Sequence, residues 1–309
     1  MTAETVAVVI VTFNRADLLV GMLDGLAHQT RVPDAVFVVD NASSDHTRGV
    51  LERNDLPLRV THSADNLGGA GGFRLGVQLA YDAGFDRVWL MDDDVVPAPD
   101  CLAVLMAQDE ACLMSVREDT RGDLVEKAAV DFDLRHPLAI KPKRASVETA
   151  YGDRASMPAL VELQNVAFEG FMLRREVIDA VGLPDASYFI FYDDVDYAIR
   201  IRRAGWRIWA VRDAVLVRQL DFDQQHALDT WKGFYMFRNL FVVHFRYGEN
   251  ALVRLKPYLI VLAVVLLSPR RGGRAEASNA VRALRGARGM RHIPSASSGV
   301  KGRIGRSGP

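Results

Sequence analysis

Three consecutive aspartates end an apolar run in the segment "WLMDDDVVP" at residues 89–97. Adjacent carboxylates repel one another, and burying one without a positive partner is costly. Alternate side chains of an extended backbone share one face, so Asp92 and Asp94 converge while Asp93 points elsewhere. Two converging carboxylates suit a hard divalent cation, Mg²⁺ or Mn²⁺, which can also bridge substrate phosphates. A solvated acidic turn is the alternative, but the position at the end of an apolar strand favours the metal site.

A second acidic pair occurs in "FYDDVDYAIR", where Asp193 and Asp194 open a predicted helix. Capping and the helix dipole favour carboxylates at this position. Capping explains one aspartate but not two in succession after an aromatic run. We therefore expect one of these carboxylates to act as a general base toward an acceptor hydroxyl.

The glycine-rich segment "NLGGAGGF", residues 66–73, precedes another predicted helix. Glycine lets a backbone approach a ligand closely, and a helix N-terminus attracts anions. The segment predicts a loop against a pyrophosphate, although a flexible turn is equally compatible with it. The first apolar strand runs into "TFNR" and not into a G-x-G-x-x-G turn, so the dinucleotide-binding signature is absent.

A long aromatic helix is predicted at "TWKGFYMFRNLFVVHFRYG", residues 230–248. Its aromatic residues recur at helical spacing, which is typical of core or membrane contact. Arg238 stands among them, and its guanidinium group is suited to steadying a departing diphosphate.

The elements that must position these groups alternate along the first third of the chain. Apolar strands at 6–12, 35–40, 58–62 and 86–92 alternate with helical patterns. This alternation predicts an α/β fold with a mostly parallel sheet covered by helices on both faces. Ligands of such sheets bind beyond the carboxyl ends of the strands. Four polar residues follow predicted strand ends and are expected at one edge: Thr12, Asp40, Asn66 and Asp92.

The rest of the chain is less regular. Residues 118–165 are polar and poorly periodic and are expected to form a variable excursion. A helix from Asp193 to Gly205 is followed by two predicted strands, 206–211 and 214–219. The apolar run 257–267 has about half the length that a bilayer span requires.

Composition and charge limit the class of protein. The chain has 309 residues, 49% of them hydrophobic, and two cysteines, so a disulfide scaffold is excluded and a reducing cytoplasm is indicated. Residues 270–309 contain ten Arg or Lys and one Glu, although the whole chain has a net charge of −1. A basic tail on an acidic body indicates a polyanionic partner, and membrane lipid is preferred to nucleic acid.

The segments "VVIVTFNR", "VVDNASSD", "NLGGAGGF", "WLMDDD" and "DDVDYAIRIRRAGWRI", taken in order, resemble an inverting family-2 glycosyltransferase of GT-A fold. The resemblance covers roughly residues 5–245. Within the family the chain is most similar to galactofuranosyltransferases of actinobacterial cell walls, with rhamnosyltransferases as close rivals. The implied architecture is a GT-A sheet with helices on both faces and a C-terminal helical appendage.

The resemblance also implies roles for individual residues. Asp92 and Asp94 match the metal-binding D-x-D, and Asp194 matches the catalytic base. The family often supplies a further metal ligand, a histidine, where this chain has Arg218 and Gln219; His226, eight residues after Arg218, is the candidate substitute. The nucleotide-sugar site predicted from the motifs and the resemblance comprises Thr12, Asn14, Arg15, Asp40, Asn41, Asn66, Gly68, Gly69, Gly71, Gly72, Asp93 and Arg238.

The expected reaction is single displacement at the anomeric carbon of a UDP- or dTDP-sugar, with galactofuranose or rhamnose favoured and Mn²⁺ or Mg²⁺ as the cofactor. The expected acceptor is a lipid-linked saccharide of the cell envelope, reached from the inner face of the membrane. Three regions are predicted: a catalytic domain at 1–228, a membrane-proximal helical appendage at 229–269 and a disordered basic tail at 270–309.

Two other functions compete with this one. A nucleotidyltransferase that forms nucleotide sugars can share an aspartate–metal α/β core, but "TFNRAD" lacks the glycine-rich first loop of those enzymes. A non-enzymatic, sugar-binding relative of a transferase is the second alternative, and the missing histidine favours it slightly. Detectable donor hydrolysis or transfer with Mn²⁺ discriminates between them.

Overall fold

Strands form where the apolar runs are densest. The computed structural model describes residues 4–139, 141–220, 228–270 and 273–292. Within these residues the strands are β1 (Val6–Thr12), β2 (Ala35–Asp40), β3 (Leu58–His62), β4 (Arg87–Asp92), β5 (Val95–Pro97), β6 (Cys112–Glu118), β7 (Ala129–Phe132), β8 (Lys143–Ser146), β9 (Leu160–Leu163), β10 (Phe171–Arg174) and β11 (Ile208–Arg218).

Helices connect the strands and continue beyond the last of them. They are α1 (Ala16–Ala27), α2 (Thr47–Glu52), α3 (Gly68–Asp82), α4 (Cys101–Met106), α5 (Val147–Tyr151), α6 (Arg175–Val181), α7 (Asp193–Arg203), α8 (Trp231–Tyr247), α9 (Ala251–Leu267) and α10 (Gly273–Gly289). Short 3₁₀ turns precede α7, at Ala186–Tyr188, and follow α9, at Ser268–Arg270.

The main sheet of the described residues has nine strands in the order β3-β2-β1-β4-β10-β6-β11-β5, with β9 also paired to β11. Strands β3, β2, β1 and β4 are mutually parallel, and β10 runs antiparallel between β4 and β6. The register pairs Thr12 with Asp40 and Val11 with Asp92. The predicted mostly parallel sheet, with its polar strand ends at one edge, is confirmed.

Two apolar layers cover the sheet. Side chains alternate between the faces of a strand, so neighbouring residues of β1 enter different layers. Val9 packs with Phe73 of α3 on one face, and Ile10 packs with Leu23 of α1 on the other. All four of these side chains are 5% exposed or less, so the sheet edge that carries the acids is held by a core on both sides.

The region from 206 to 219 differs from the prediction of two strands. It forms one strand, β11, whose pairing with β6 shifts register between Val211 and Val215. Such a bulge adds residues to one strand without ending it, which explains why the sequence suggested a break. The expected excursion at 118–165 also contains regular structure, because β7 and β8 form a two-stranded sheet and β9 joins the main sheet.

The glycine-rich segment belongs to a helix and not to the predicted loop. Gly68 begins α3 with a φ of +69°, and a Cβ at this position would lie 2.1 Å from the carbonyl oxygen of Phe189. Glycine is therefore required at this position both by its backbone conformation and by the close approach of another chain segment.

The basic tail was predicted to be disordered, but its first part forms helix α10. Ala280, Ala283 and Ala287 are completely buried and pack with Phe237 and Phe241 of α8. The apolar run 257–267 is likewise part of a longer helix, since α9 and the 3₁₀ turn after it extend from Ala251 to Arg270. Among the described residues, this stretch of 20 residues is the one whose length and mean hydropathy of 2.0 would allow it to cross a bilayer.

Candidate active site

A cleft of about 190 Å³ opens at the carboxyl edge of β1 and β4. Both acidic pairs singled out in the sequence contribute to its lining. Aromatic and aliphatic side chains supply the remaining walls, and two basic residues face the acids. The cleft is lined by Arg15, Gly69, Phe73, Asp92, Asp94, Ala167, Phe168, Glu169, Ile190, Phe191, Asp193, Asp194 and Lys232.

Arg15 is the first positive partner of the aspartate triplet. It lies in the short segment between β1 and α1, as the residue before α1, and its side chain reaches the end of the neighbouring strand β4. Its Nη1 lies 2.9 Å from Asp93 Oδ1 and 3.3 Å from Asp94 Oδ2. Both aspartates are almost completely buried, at 2% and 1% exposure, so this arginine offsets charge that water cannot reach.

A second arginine, Arg218 at the end of β11, lies buried on the other side of Asp94. Its Nη2 is 3.8 Å from Asp94 Oδ2, and its Nη1 is 3.4 Å from Glu169 Oε2. Glu169 also pairs through Oε2 with Arg117 of β6. Arg117 in turn pairs through two hydrogen bonds, of 2.9 and 2.7 Å, with the buried Glu126. Carboxylates and guanidinium groups therefore alternate along the floor of the cleft.

Asp92 differs from its neighbours because no arginine contacts it among the described residues. Burial raises the pKa of Asp92 well above its usual range, and the negative charges of Asp94 and Asp93 raise it further. One carboxylate oxygen from each of Asp92, Asp94 and Glu169 lies within 4.8 Å of the others. The buried Oδ1 of Asp94 has no hydrogen-bond partner. Oxygen donors gathered in this way fit a hard divalent cation.

The second acidic pair is placed by an unusual loop. Phe189, Phe191 and Tyr192 have φ between 63° and 67°, a region that is unfavourable for large side chains. Asn239 of α8 is completely buried and donates hydrogen bonds to the carbonyl oxygens of Ile190, at 2.7 Å, and Phe191, at 2.8 Å. These bonds hold the loop in its strained conformation and so fix the start of α7.

The carboxylates at the start of α7 are in an apolar setting. Burial raises the pKa of Asp194 to about 6, although the backbone N–H of Val195 and the charge of Lys143 oppose the shift. The Val195 N–H donates to Asp194 Oδ1 at 2.7 Å. A carboxylate with a pKa near neutrality is suited to accept a proton and to release it again.

The predicted nucleotide-sugar residues fall into three groups. Arg15 and Gly69 line the cleft, and Thr12 and Asp93 are buried beside it. A second group lies at the adjoining ends of β1, β2 and α3 and fixes the loops there through hydrogen bonds: Asn14 to Ser44, Asp40 to Ser43, and Asn41 and Asn66 to Gly68. The third group, Gly71 and Gly72, is buried within α3.

Arg238 occupies a different place from the predicted one. It does not line the cleft; its Nη2 donates to the carbonyl oxygens of Ser187, at 2.9 Å, and Tyr188, at 2.7 Å. Its guanidinium carbon also lies 4.8 Å from the centre of the Tyr235 ring. Arg238 thus supports the strained loop together with Asn239, and Lys232 of the same helix faces the cleft instead.

His226, the candidate third metal ligand, lies outside the described residues. Sequence reasoning missed Glu169, whose signal was a single acid between Phe168 and Gly170 in an otherwise apolar stretch. An acid in an apolar stretch is expected to be buried, and a buried carboxylate requires a cation or an arginine beside it. This requirement is the signal in the sequence that could have identified Glu169.

Comparison with known proteins agrees with this geometry. A family model described as "Glycosyltransferase like family 2" matches residues 3–233. The chain belongs to glycosyltransferase family 2. Membership supports a glycosyltransferase that uses a nucleotide sugar over a nucleotidyltransferase that forms one.

Two relatives of this glycosyltransferase are named for transfer of galactofuranose. Galactofuranosyltransferase GlfT1 of Mycobacterium tuberculosis is 32% identical over 251 residues, which cover 76% of this chain and 81% of the relative. The GlfT1 of Mycolicibacterium smegmatis is 30% identical over 250 residues, covering 76% of this chain and 82% of the relative. The predicted likeness to actinobacterial galactofuranosyltransferases is confirmed.

Solved structures confirm the GT-A fold of the transferase. The mannosyltransferase PcManGT from Pyrobaculum calidifontis, in complex with GDP-Man and Mn²⁺, has a TM-score of 0.54 at 21% identity, covering 95% of this chain and 78% of its own. GalNAc-T7 with UDP, GalNAc and Mn²⁺ has a TM-score of 0.59 at 16% identity, covering 80% and 49%.

The unequal partners of Asp92 and Asp94 lead to a stability prediction. In the absence of divalent cations, Asp92→Asn should leave the melting temperature unchanged or raise it, because it removes a repelled carboxylate. Asp94→Asn should lower the free energy of unfolding by about 1–3 kcal/mol, because Arg15 and Arg218 lose a buried partner. Thermal unfolding in EDTA measures both, with Asp55→Asn, at an exposed position, as the control. A larger loss for Asp92→Asn than for Asp94→Asn contradicts the assignment of partners.

Proposed function

We propose that this family-2 glycosyltransferase transfers galactofuranose from a UDP- or dTDP-linked donor to a saccharide acceptor, with inversion of configuration at the anomeric carbon. The observation that carries the proposal is the shared cleft. A carboxylate with a pKa near neutrality, Asp194, lines the same cleft as the acids that suit a cation, Asp92 and Asp94. The relatives reported above are named for galactofuranose transfer, which favours this sugar over rhamnose.

In the proposed reaction Asp194 accepts the proton of an acceptor hydroxyl. The freed oxygen attacks the anomeric carbon from the face opposite the diphosphate, and a new glycosidic C–O bond forms. The bond between the anomeric carbon and the phosphate oxygen breaks, and its electron pair leaves with the nucleoside diphosphate. Inversion follows from this single displacement, because attack and departure take place on opposite faces of the sugar.

Asp92 and Asp94 would hold a divalent cation, Mn²⁺ or Mg²⁺, in the proposed site. A bound cation of this kind supplies positive charge that offsets the charge developing on the departing diphosphate. Arg15 and Lys232, which also line the cleft, would add positive charge on either side of the diphosphate. The strained loop that Asn239 holds would keep Asp194 oriented while donor and acceptor exchange.

The proposed base can be tested by substitution. Asp194→Asn keeps the shape of the side chain and its bond from Val195 but cannot accept a proton, so transfer should fall on the order of 10²–10⁴-fold. The Asp194→Asn variant should still bind UDP with Mn²⁺, and the rise in melting temperature on adding both measures this binding. A panel of nucleotide sugars offered to the wild type identifies the donor, with UDP-galactofuranose expected to give the highest rate. Near-normal transfer by the variant would assign Asp194 to helix capping alone.

The raised pKa of Asp194 predicts the acid side of the pH profile. The base is active when ionised, so kcat/KM should fall as the pH drops through about 6. The positive charge of Lys143 lowers this pKa, so Lys143→Met should move the acid limb to higher pH, whereas Lys141→Met should not. Glu169, Asp193 and Arg117 also act on the carboxylate and are left intact in both variants. If the acid side of the kcat/KM profile does not move in Lys143→Met, the assignment of Asp194 as the base is contradicted.

We also propose that the enzyme docks on the inner face of the cell membrane through α9, which would present it to a lipid-linked acceptor. Five leucines of α9 recur at intervals of three and four residues and are 50–70% exposed: Leu252, Leu255, Leu259, Leu262 and Leu266. Residues spaced in this way form one stripe along a helix. Exposed arginines occur near its first turn, at Arg254, and after it, at Arg270 and Arg274.

The packing of α9 favours a position in the plane of the membrane over a crossing. Its other side contacts α8, where the rings of Phe245 and Tyr258 lie 5.9 Å apart, and Lys256 donates to the carbonyl oxygen of Ala139 at 2.8 Å. Only 28% of the most apolar part of Ala251–Arg270 is buried in the protein. One side of α9 is held by arginine-rich α10 and by a polar loop, so the whole helix cannot enter the bilayer without them. The leucine stripe on its other side can still enter the surface of the bilayer.

Substitutions in the leucine stripe test this docking. The full-length protein should float with vesicles that contain phosphatidylglycerol at low salt. Leu259→Glu combined with Leu266→Glu should weaken binding roughly tenfold or more, because two buried leucines are lost from the lipid. Val32→Glu, at a position 49% exposed between α1 and β2, is the control. Equal flotation of the double variant and the wild type contradicts the proposal.

A further inference from the structure

The metal site raises a question that the sequence left open, because Arg218 stands where the family often has a histidine ligand. The structure shows Arg218 buried between Asp94 and Glu169 and not facing away from them. A guanidinium group cannot bind a cation. The missing ligand must therefore come from another residue, or the site has only two.

The arginines use one oxygen of each carboxylate. Arg15 and Arg218 both approach Oδ2 of Asp94, at 3.3 and 3.8 Å. Arg117 and Arg218 both approach Oε2 of Glu169. The other oxygen of Asp94, Oδ1, is buried without a hydrogen-bond partner. The closest contacts of both arginines with Glu169 are to Oε2, and the unpartnered oxygen of Asp94 lies beside this carboxylate.

The charges in this cluster do not cancel. Five carboxylates are linked through these contacts or lie among them, and three guanidinium groups face them: Asp92, Asp93, Asp94, Glu126 and Glu169 against Arg15, Arg117 and Arg218. With all eight of these groups in the described residues ionised, the excess is two negative charges, which equals the charge of one divalent cation. Arg117 already has Glu126 as a bidentate partner, so Glu169 is not needed to neutralise it.

We propose that Glu169 is the third protein ligand of the divalent cation and takes the place of the histidine that this chain lacks. The inference rests on the cation site proposed above at Asp92 and Asp94. Glu169 has a carboxylate oxygen within 4.8 Å of those of both aspartates. Arg117 is a positioning residue, because it contacts Oε2 of Glu169, and Glu126 acts through the two hydrogen bonds that it accepts from Arg117.

Direct Mn²⁺ binding tests the proposal without any sugar. Electron paramagnetic resonance of free Mn²⁺ in a titration with the full chain gives a dissociation constant. Glu169→Gln should raise this constant at least tenfold, as Asp92→Asn should. Glu118→Gln is the matched control, because Glu118 is also paired with an arginine, Arg154, at 2.5 Å, yet lies outside the cleft. Its Mn²⁺ affinity should equal that of the wild type.

A second variant covers the case in which Glu169→Gln does not fold. Glu169→Asp keeps the charge that faces Arg117 and Arg218 but shortens the side chain, so it should retain the melting temperature and still bind Mn²⁺ more weakly. Glu126→Gln should weaken Mn²⁺ binding less than either. Unchanged Mn²⁺ affinity in folded Glu169→Gln or Glu169→Asp overturns the proposal and leaves Glu169 as a counter-ion. A donor other than galactofuranose would refute the proposed substrate without affecting these affinities.

Discussion

Several carboxylates buried at one edge of a sheet require positive charge, and this requirement organises the molecule. Asp93, Asp94 and Glu169 cannot remain ionised in an apolar cleft unless cations stand beside them. Arg15 stands at the start of α1 and Arg218 at the end of β11, so the acids also hold together segments that are distant in the chain. The arginines leave Asp92 without an arginine contact among the described residues, so a cation would bind at these carboxylates and could in turn attract the substrate diphosphate.

The C-terminal helices are part of this arrangement. Arg246 of α8 lies 3.0 Å from Asp196, one turn into the helix that begins with Asp193 and Asp194, and its Nε donates to the carbonyl oxygen of Met290 at 2.8 Å. Tyr247 donates a further hydrogen bond of 2.6 Å to Asp196. The same helix carries Asn239, which holds the strained loop before α7. Helix α8, which packs against α9, thus also supports the start of α7, so the proposed docking helix and the proposed base would be connected through one helix.

The sequence predicts the parts of this structure that leave a periodic or strongly polar signal. Apolar strands with polar ends identified β1, β2 and β4 and the edge that carries Asp92 and Asp94. Glu169 gave no such signal, because one acid in an apolar stretch does not show which cation faces it. The sequence does not predict α10, because its buried positions are alanines, whose weak hydrophobicity gives little helical periodicity among the arginines. It predicts two strands in place of β11, because the polar residues at the bulge resemble those of a turn. The sequence also does not show that backbone carbonyls of Ser187 and Tyr188 accept hydrogen bonds from the guanidinium group of Arg238, so its predicted role at the diphosphate stays a prediction.

Anomalous diffraction from crystals grown with Mn²⁺ and UDP tests the central claim most directly, since it locates the cation without reference to catalysis. The account predicts one Mn²⁺ peak in the cleft, at bonding distance from oxygens of Asp92, Asp94 and Glu169, with Arg15 and Arg218 still paired to Asp94. A peak that is coordinated by neither Asp94 nor Glu169, or a cleft that binds UDP with no Mn²⁺ at these carboxylates, would contradict it.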